Sequence, residues 1–253
     1  MASDNKTRFS SRVDHYVKYR PSYPEAAIDY LYGEVGFRSG ETVADVGAGT
    51  GIFTSLLLER GSVVYAVEPN QDMREAAVAE LGASDRFRPI DGSAEETGLP
   101  DGSVSGVVCA QAFHWFDREG TKREFQRILK PEGVVALVWN ERVTTGTPFL
   151  EEYEELLHRY GIDYAKVNHR NVTPDVLRDF FRDGAVTVGE FPNRYQLSYE
   201  GLEGRLRSSS YSPQAGHPNH EPMLEALRQL FARHERDGRV PFDYETRIYW
   251  GRV

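Results

Sequence analysis

At 253 residues, 40% of them hydrophobic and 27% charged, the chain is long enough for one large α/β domain with additions, and no run approaches the ~18 consecutive apolar residues of a membrane span. A net charge of −9, shared by both halves, lacks the basic footprint of a nucleic-acid binder and points to a small-molecule partner. The single cysteine, Cys109, excludes an intramolecular disulfide; with a polar N-terminus that lacks a secretory apolar core, it fits a cytoplasmic protein.

Residues 9–24 (FSSRVDHYVKYRPSYP) are dense in aromatic and cationic side chains. Val13, Tyr16, Val17 and Arg20 have helical spacing, and Pro21 ends that helix. Pro24 opens a second helix with Ile28, Leu31, Tyr32 and Val35 on its apolar face, stopped by Gly36. Strands and helices then alternate: strand 42–46, helix 52–60, strand 63–67, helix 72–81, strand 87–90, strand 104–110, helix 118–129 and strand 134–139. Such alternation with short links predicts a doubly wound, mainly parallel sheet.

After Trp139 the pattern changes. Thr147–Pro148 caps a helix whose inner face is Phe149, Leu150, Tyr153, Leu156, Leu157 and Tyr160, and Thr173–Pro174 starts a shorter one. The acidic side chains of 151–155 suit a solvated face near the positive end of the helix dipole. A strand over 186–197 interrupted at Pro192 and Asn193, a helix over 223–234 and a last strand over 244–250 complete the chain. His217 and His220, in a Pro/Gly-rich stretch, read as surface residues, and no group of residues has metal-ligand spacing. With no repeat or linker, residues 1–253 read as one domain: cap helices over 9–36, a core over 41–139, then insertions plus the last two strands over 140–253. Nothing in the chain specifies an oligomeric state.

The chemistry starts at TVADVGAGTG, residues 42–51: a buried strand, an acidic residue, then Gly47, Gly49 and Gly51 before a helix. Glycines there let the backbone turn sharply and bring its N–H groups to a ligand. A phosphate-cradling loop would need GxxxxGK[ST], and no lysine follows; a dinucleotide fingerprint would need GxGxxG, and Ile52 stands where its third glycine would fall. Glu68 ends the second strand, 17 residues after Gly51, where a carboxylate can accept both hydroxyls of a ribose.

These residues resemble the class I S-adenosylmethionine-dependent methyltransferases, whose hallmark of acid, x, Gly, x, Gly, x, Gly is matched by Asp45, Gly47, Gly49 and Gly51. The resemblance implies an α/β, doubly wound, Rossmann-like sheet of seven strands under a helical cap, with S-adenosyl-L-methionine as cofactor. It makes Glu68, with Pro69 and Asn70, the ribose segment, and Ser93, Ala94 and Glu95 the adenine-contacting segment. Many relatives carry an aspartate just before strand four, where this chain has Ser105 and Gly106. The segment YVKYRPSYP (16–24), together with QAFHWFD (111–117), is similar to a narrower subgroup of methyltransferase type 11 that includes trans-aconitate methyltransferase-like proteins. There, the resemblance implies, Tyr16 and Arg20 contact the cofactor, arginine on its methionyl carboxylate, and Gln111 lies beside the methionyl arm.

Methyl transfer needs an acceptor aligned within about 3–3.5 Å of the methyl group. A carboxylate acceptor is already an anion at neutral pH, whereas a phenol, alcohol or ammonium needs a base. His114 is the histidine beside the crevice and is either that base or, with Trp115, a pocket wall. Arg142, Tyr211, Arg247 and Trp250 are candidates for the acceptor pocket, arginines being expected if the acceptor carries further carboxylates. The expected partner is thus a small-molecule methyl acceptor, with a carboxylate oxygen among the candidate sites of methylation, and no nucleic acid and no membrane. A non-catalytic sensor of the cofactor or its demethylated product, and an NAD-dependent oxidoreductase, are the alternatives.

Overall fold

The computed structural model describes residues 19–164 and 172–253. Its strands are β1 (Thr42–Val46), β2 (Val63–Val67), β3 (Phe87–Ile90), β4 (Val104–Ala110), β5 (Leu129–Arg142), β6 (Thr187–Asn193), β7 (Gln196–Leu197), β8 (Val240–Pro241) and β9 (Tyr244–Gly251). Its helices are α1 (Glu25–Tyr30, continued by a π-helical turn over Leu31–Val35), α2 (Ile52–Glu59), α3 (Gln71–Leu81), α4 (Arg118–Ile128), α5 (Pro148–Tyr160), α6 (Pro174–Phe180), α7 (Tyr199–Arg207) and α8 (His220–His234). None of these helices is long and apolar enough to cross a membrane.

Seven strands form one sheet in the order β3-β2-β1-β4-β5-β9-β6. β1 to β5 pair in parallel; β9 runs antiparallel to both β5 and β6. The apolar run of β1 lies almost wholly buried, as a central parallel strand covered on both faces must be. One face packs Leu31, Phe53 and Leu57 from α1 and α2; the other packs Phe113, Phe125 and Phe180 from the loop after β4, α4 and α6. A third core joins Tyr153 and Leu157 of α5, Leu202 and Leu206 of α7, Leu227 of α8 and Phe242, and builds the cap over the carboxyl ends of the strands.

The structure revises several expectations. β6 runs straight through Pro192, because it is an edge strand, where a missing ladder N–H is tolerated; the break comes after Asn193. α7 and β8 have no counterpart among the predicted elements, and β7, the end of the predicted strand over 186–197, pairs with β8 as a separate ribbon. His220 is buried rather than superficial: it opens α8 with Nδ1 2.8 Å from the Pro213 carbonyl oxygen.

The chain enters the fold through a clamp on one atom. The Ser22 carbonyl oxygen accepts from Asn140 Nδ2 (3.1 Å), Asn193 Nδ2 (2.8 Å) and the Tyr195 hydroxyl (3.2 Å). Just upstream, the Tyr19 hydroxyl donates to Glu200 Oε1 at 2.8 Å, and its ring lies so close to Gly204 of α7 that a Cβ there would come within 2.4 Å. These contacts lay residues 19–22 across the carboxyl ends of the sheet.

Candidate active site

The loop after β1 is held by its own backbone. Gly47 and Ala48 donate to the Val67 carbonyl oxygen at 2.8 and 3.1 Å. Gly47 has φ 75°, and a Cβ would meet the Ala112 methyl at 2.5 Å, so the residue is glycine for close packing as well as conformation. Gly51 abuts Leu81 of α3 in the same way. Gly49 differs: a Cβ there would touch nothing nearer than Met73 Sδ at 4.0 Å, so the space over this backbone is open.

Two carboxylates flank that space. Glu68 is 8% exposed; Oε2 accepts from Gly49 N–H at 2.9 Å and Oε1 from Asn70 N–H at 2.8 Å. Burial raises its pKa, against these two N–H bonds and the Arg74 charge. Each oxygen retains a lone-pair direction for a further donor. Asp45 is wholly buried at the end of β1. Oδ2 accepts from the Thr54 hydroxyl at 2.6 Å, while Oδ1 has no hydrogen-bond partner among the described residues. Burial, with a smaller push from Glu68, raises its pKa to about 7 despite the Thr54 bond.

Two adjoining cavities open at the carboxyl end of the sheet. The smaller, ≈ 40 Å³, is lined by Asp45, Gly47, Ala48 and Thr50 of the glycine loop with Tyr23 and Phe53. The larger, ≈ 120 Å³, lies under the cap between Arg142, Tyr153, Tyr164, Arg205, Tyr211 and Tyr244. Arg20, Pro21 and Gln111 line both, and so form the partition. Gln111 stands there with φ 58°, a left-handed conformation costly for a residue with a side chain; its amide nitrogen donates to the Asn140 carbonyl at 3.2 Å. Arg20 is aimed by Nη2, which donates to the Ser208 carbonyl oxygen at 2.8 Å. An open depression nearby is bordered by Pro69 and Ser93 with Asp91, Gly92 and Glu96.

The larger cavity is built of arginine and phenol. Arg142 pairs with Glu154, shares Tyr164, and lies 4.9 Å from the Tyr153 ring centroid, while its buried Nη1 has no hydrogen-bond partner among the described residues. Burial is the leading cause raising the pKa of Tyr153, Tyr164 and Tyr244, so these phenols, already neutral at pH 7, are still harder to ionise. No histidine, lysine or carboxylate is among the described residues lining this cavity.

Residues 44–137 match the family model described as a methyltransferase domain. An uncharacterized methyltransferase of Mycobacterium tuberculosis is 35% identical over 231 residues, which cover 91% of this chain and 88% of the relative. The chain belongs to the methyltransferase family. A candidate type II methyltransferase of Anaeromyxobacter dehalogenans superposes with a TM-score of 0.67 at 24% identity, covering 92% of this chain and 98% of its own. A phosphoethanolamine N-methyltransferase of Haemonchus contortus, solved with S-adenosylhomocysteine, gives 0.56 at 15% identity, covering this whole chain and 59% of its own. These two likenesses show the class I, Rossmann-like fold alone.

Within the methyltransferase, the predicted site residues separate into two sets. Arg20, Asp45, Gly47, Gly49, Glu68 and Gln111 gather around the smaller cavity and the open loop; Pro69 and Ser93 border the depression beside it. Asn70 caps α3, accepting from Met73 N–H at 3.0 Å; Ala94 is buried, and Glu95 accepts from Asp117 N–H at 2.9 Å. Tyr16 lies outside the described residues. Of the acceptor candidates, Arg142 and Tyr211 line the larger cavity. Arg247 does not: it is held on β9 by Glu141, Glu190 and Glu245. Trp250 instead donates to the Tyr30 hydroxyl at 3.1 Å. His114 and Trp115 stack on each other at 4.8 Å in the turn after β4 and line neither cavity; His114 Nδ1 faces Trp139 Nε1 at 3.5 Å. That placement sets His114 apart from both cavities, as base and as wall alike.

Arg205, Tyr153, Tyr164 and Tyr244 line the cavity without having been singled out. The signal for Arg205 was present: it falls on the apolar face of α7, three residues after Leu202 and one before Leu206, a position that should hold an aliphatic side chain.

Proposed function

We propose that this methyltransferase takes S-adenosyl-L-methionine in the smaller cavity and along the open glycine loop, and methylates a carboxylate oxygen of a small acid held in the larger one. The residues fit that cofactor. Asp45 Oδ1, a buried acceptor atom lacking a partner, suits the methionyl ammonium, and Arg20 suits its carboxylate. Glu68 has acceptor capacity left for two ribose hydroxyls, and the bare backbone over Gly49 leaves room for the nucleoside. The adenine edge would fall to Ser93, Ala94 and Glu95.

The bound cofactor supplies an electrophilic methyl group. The observation that carries the acceptor reading is the described lining of the larger cavity: arginines and neutral phenols, with no histidine, lysine or carboxylate among the described residues. A phenol or ammonium would have to lose a proton there with no base among the described lining residues to take it, whereas a carboxylate already has the electron pair that attacks. Gln111 and Arg20, in the partition, orient the two reactants towards each other.

An acceptor screen with labelled methyl donor tests this. Carboxylic acids should take up label, and the product should release it as methanol on mild base treatment, as methyl esters do. Base-stable label on phenols or amines overturns the carboxylate reading. Calorimetry should show binding of S-adenosylmethionine and S-adenosylhomocysteine; binding of NAD with neither of these overturns the cofactor reading.

A further inference from the structure

Arg205 is a buried cation short of an anion. It is 8% exposed and lines the larger cavity. Its Nη1 donates to the Tyr244 hydroxyl at 3.0 Å, and the guanidinium lies 4.8 Å from the Tyr195 ring centroid and 5.5 Å from that of Tyr244. No carboxylate pairs with it among the described residues, and its buried Nε has no hydrogen-bond partner there. Ring faces return part of the lost hydration energy, but a buried guanidinium without a counter-ion remains costly. The other arginines of the cavity differ. Arg142 has Glu154, and Arg20 stands in the partition shared with the smaller cavity.

We propose that the acceptor is a monoanionic acid whose single carboxylate pairs with Arg205 and is itself the group methylated. The inference rests on the cofactor and carboxylate reading above and follows from counting charge. Among the described residues, with Glu154 on Arg142 and the methionyl carboxylate on Arg20, one positive charge remains in the larger cavity, that of Arg205. One negative charge from the acceptor neutralises it; a second would be buried in excess. The attacking oxygen forms its bond to the methyl carbon as the carbon–sulfur bond breaks, its electron pair staying on sulfur, and no proton moves. The product is a neutral ester, so the transfer removes the charge that held the substrate. Arg205 thereby distinguishes substrate from product: it retains the acid and releases the ester.

The experiment uses the full chain saturated with S-adenosylhomocysteine, and calorimetry with benzoate, butyrate, succinate, benzamide and methyl benzoate. The wild type should bind benzoate or butyrate at least tenfold more tightly than succinate, and benzoate or butyrate tenfold more tightly than the two neutral probes. Arg205→Met should erase that preference while leaving S-adenosylhomocysteine affinity within twofold, and Arg205→Lys, which keeps the charge, should retain part of it. With no small acid present, Arg205→Met should melt no lower than the wild type, because it removes an unpaired buried charge; a purely structural arginine would cost several degrees. The proposal is overturned by a wild type that does not prefer monoanions, by a variant that keeps the preference, or by Arg205→Met melting well below the wild type or failing to fold. Failure to bind S-adenosylhomocysteine, or base-stable label in the acceptor screen, would instead overturn the reading on which it rests.

Discussion

The two cavities that meet at Arg20 and Gln111 are built on different principles. The smaller is a backbone construction: a left-handed loop hung from the Val67 carbonyl, with N–H groups of Gly49 and Asn70 presented to Glu68. The larger is made of side chains from β5, α5, α7, the loops after these helices and β9, with aromatic walls around guanidinium groups. A backbone site admits little sequence variation, because the conformation itself demands glycine. A side-chain site is remade by exchanging single residues. The first kind suits a cofactor shared by many enzymes and the second a substrate particular to one.

Substitutions should separate the two halves by size of effect. The largest belongs to Glu68. Glu68→Ala removes a buried carboxylate and strands two backbone N–H groups, each loss worth about 1.5–3 kcal/mol; S-adenosylhomocysteine affinity should fall 100-fold or more by calorimetry. The variant's affinity for the acids of the larger cavity, measured where the cofactor product still saturates, should change far less.

Asp45 sharpens the comparison through pH. Its folded pKa, about 7, lies above the ordinary value of 3.8, so between these values the folded state holds a proton that the unfolded state has released. Stability of the free protein therefore falls as pH rises through this window, by roughly 4 kcal/mol in all from this group. A methionyl ammonium needs the ionised form, so cofactor affinity should weaken up to tenfold per unit as pH drops below 7 and level off above it. Asp45→Asn should flatten both dependences, checked by calorimetry and thermal melts across pH 5–8.

Gly204→Val tests the strap over the sites. The new side chain meets the Tyr19 ring, 2.4 Å from where its Cβ would stand, so Tyr19 must leave. Acceptor KM should rise severalfold, with a loss of about 1–3 kcal/mol in stability from overpacking. Gln111→Gly relieves the left-handed strain, so the melting temperature should rise by the equivalent of about 1 kcal/mol while kcat falls, since the side chain in the partition is gone. The smallest effect belongs to residues outside both cavities: His114→Ala and Arg247→Ala should each leave kcat/KM within about threefold, and His114→Ala should leave its pH profile unshifted.

The same contrast explains what was legible from the residues alone. Asp45, Gly47, Gly49 and Glu68 were readable because they lie in two short segments whose spacing follows from strand, turn and helix geometry. The parallel strands were readable because each is an apolar run between short links. Arg205 escapes notice because GLEGRLRSSS, with two glycines and a run of serines, suggests no helix, and only on a helix do Leu202 and Leu206 share its face. Arg247 and Trp250 erred the other way: a cation and an indole near the end of the chain suggested a pocket, but β9 inserts between β5 and β6, where local carboxylates and Tyr30 use them up. His220 was misjudged because a loop rich in glycine and proline can still deliver its last residue into the interior as a helix begins.

The clamp on Ser22 carries a consequence for how this enzyme tolerates change. Asn140, Asn193 and Tyr195 all grip a main-chain oxygen, an atom every amino acid possesses. Position 22 is thus free to drift in identity without loosening the strand of chain that delivers Arg20. The constraint has been exported to its three donors, two of them at the ends of β5 and β6. Variation at residue 22 would be silent, while a change at Asn140 or Asn193, well over a hundred positions away, would misplace the arginine shared by both cavities.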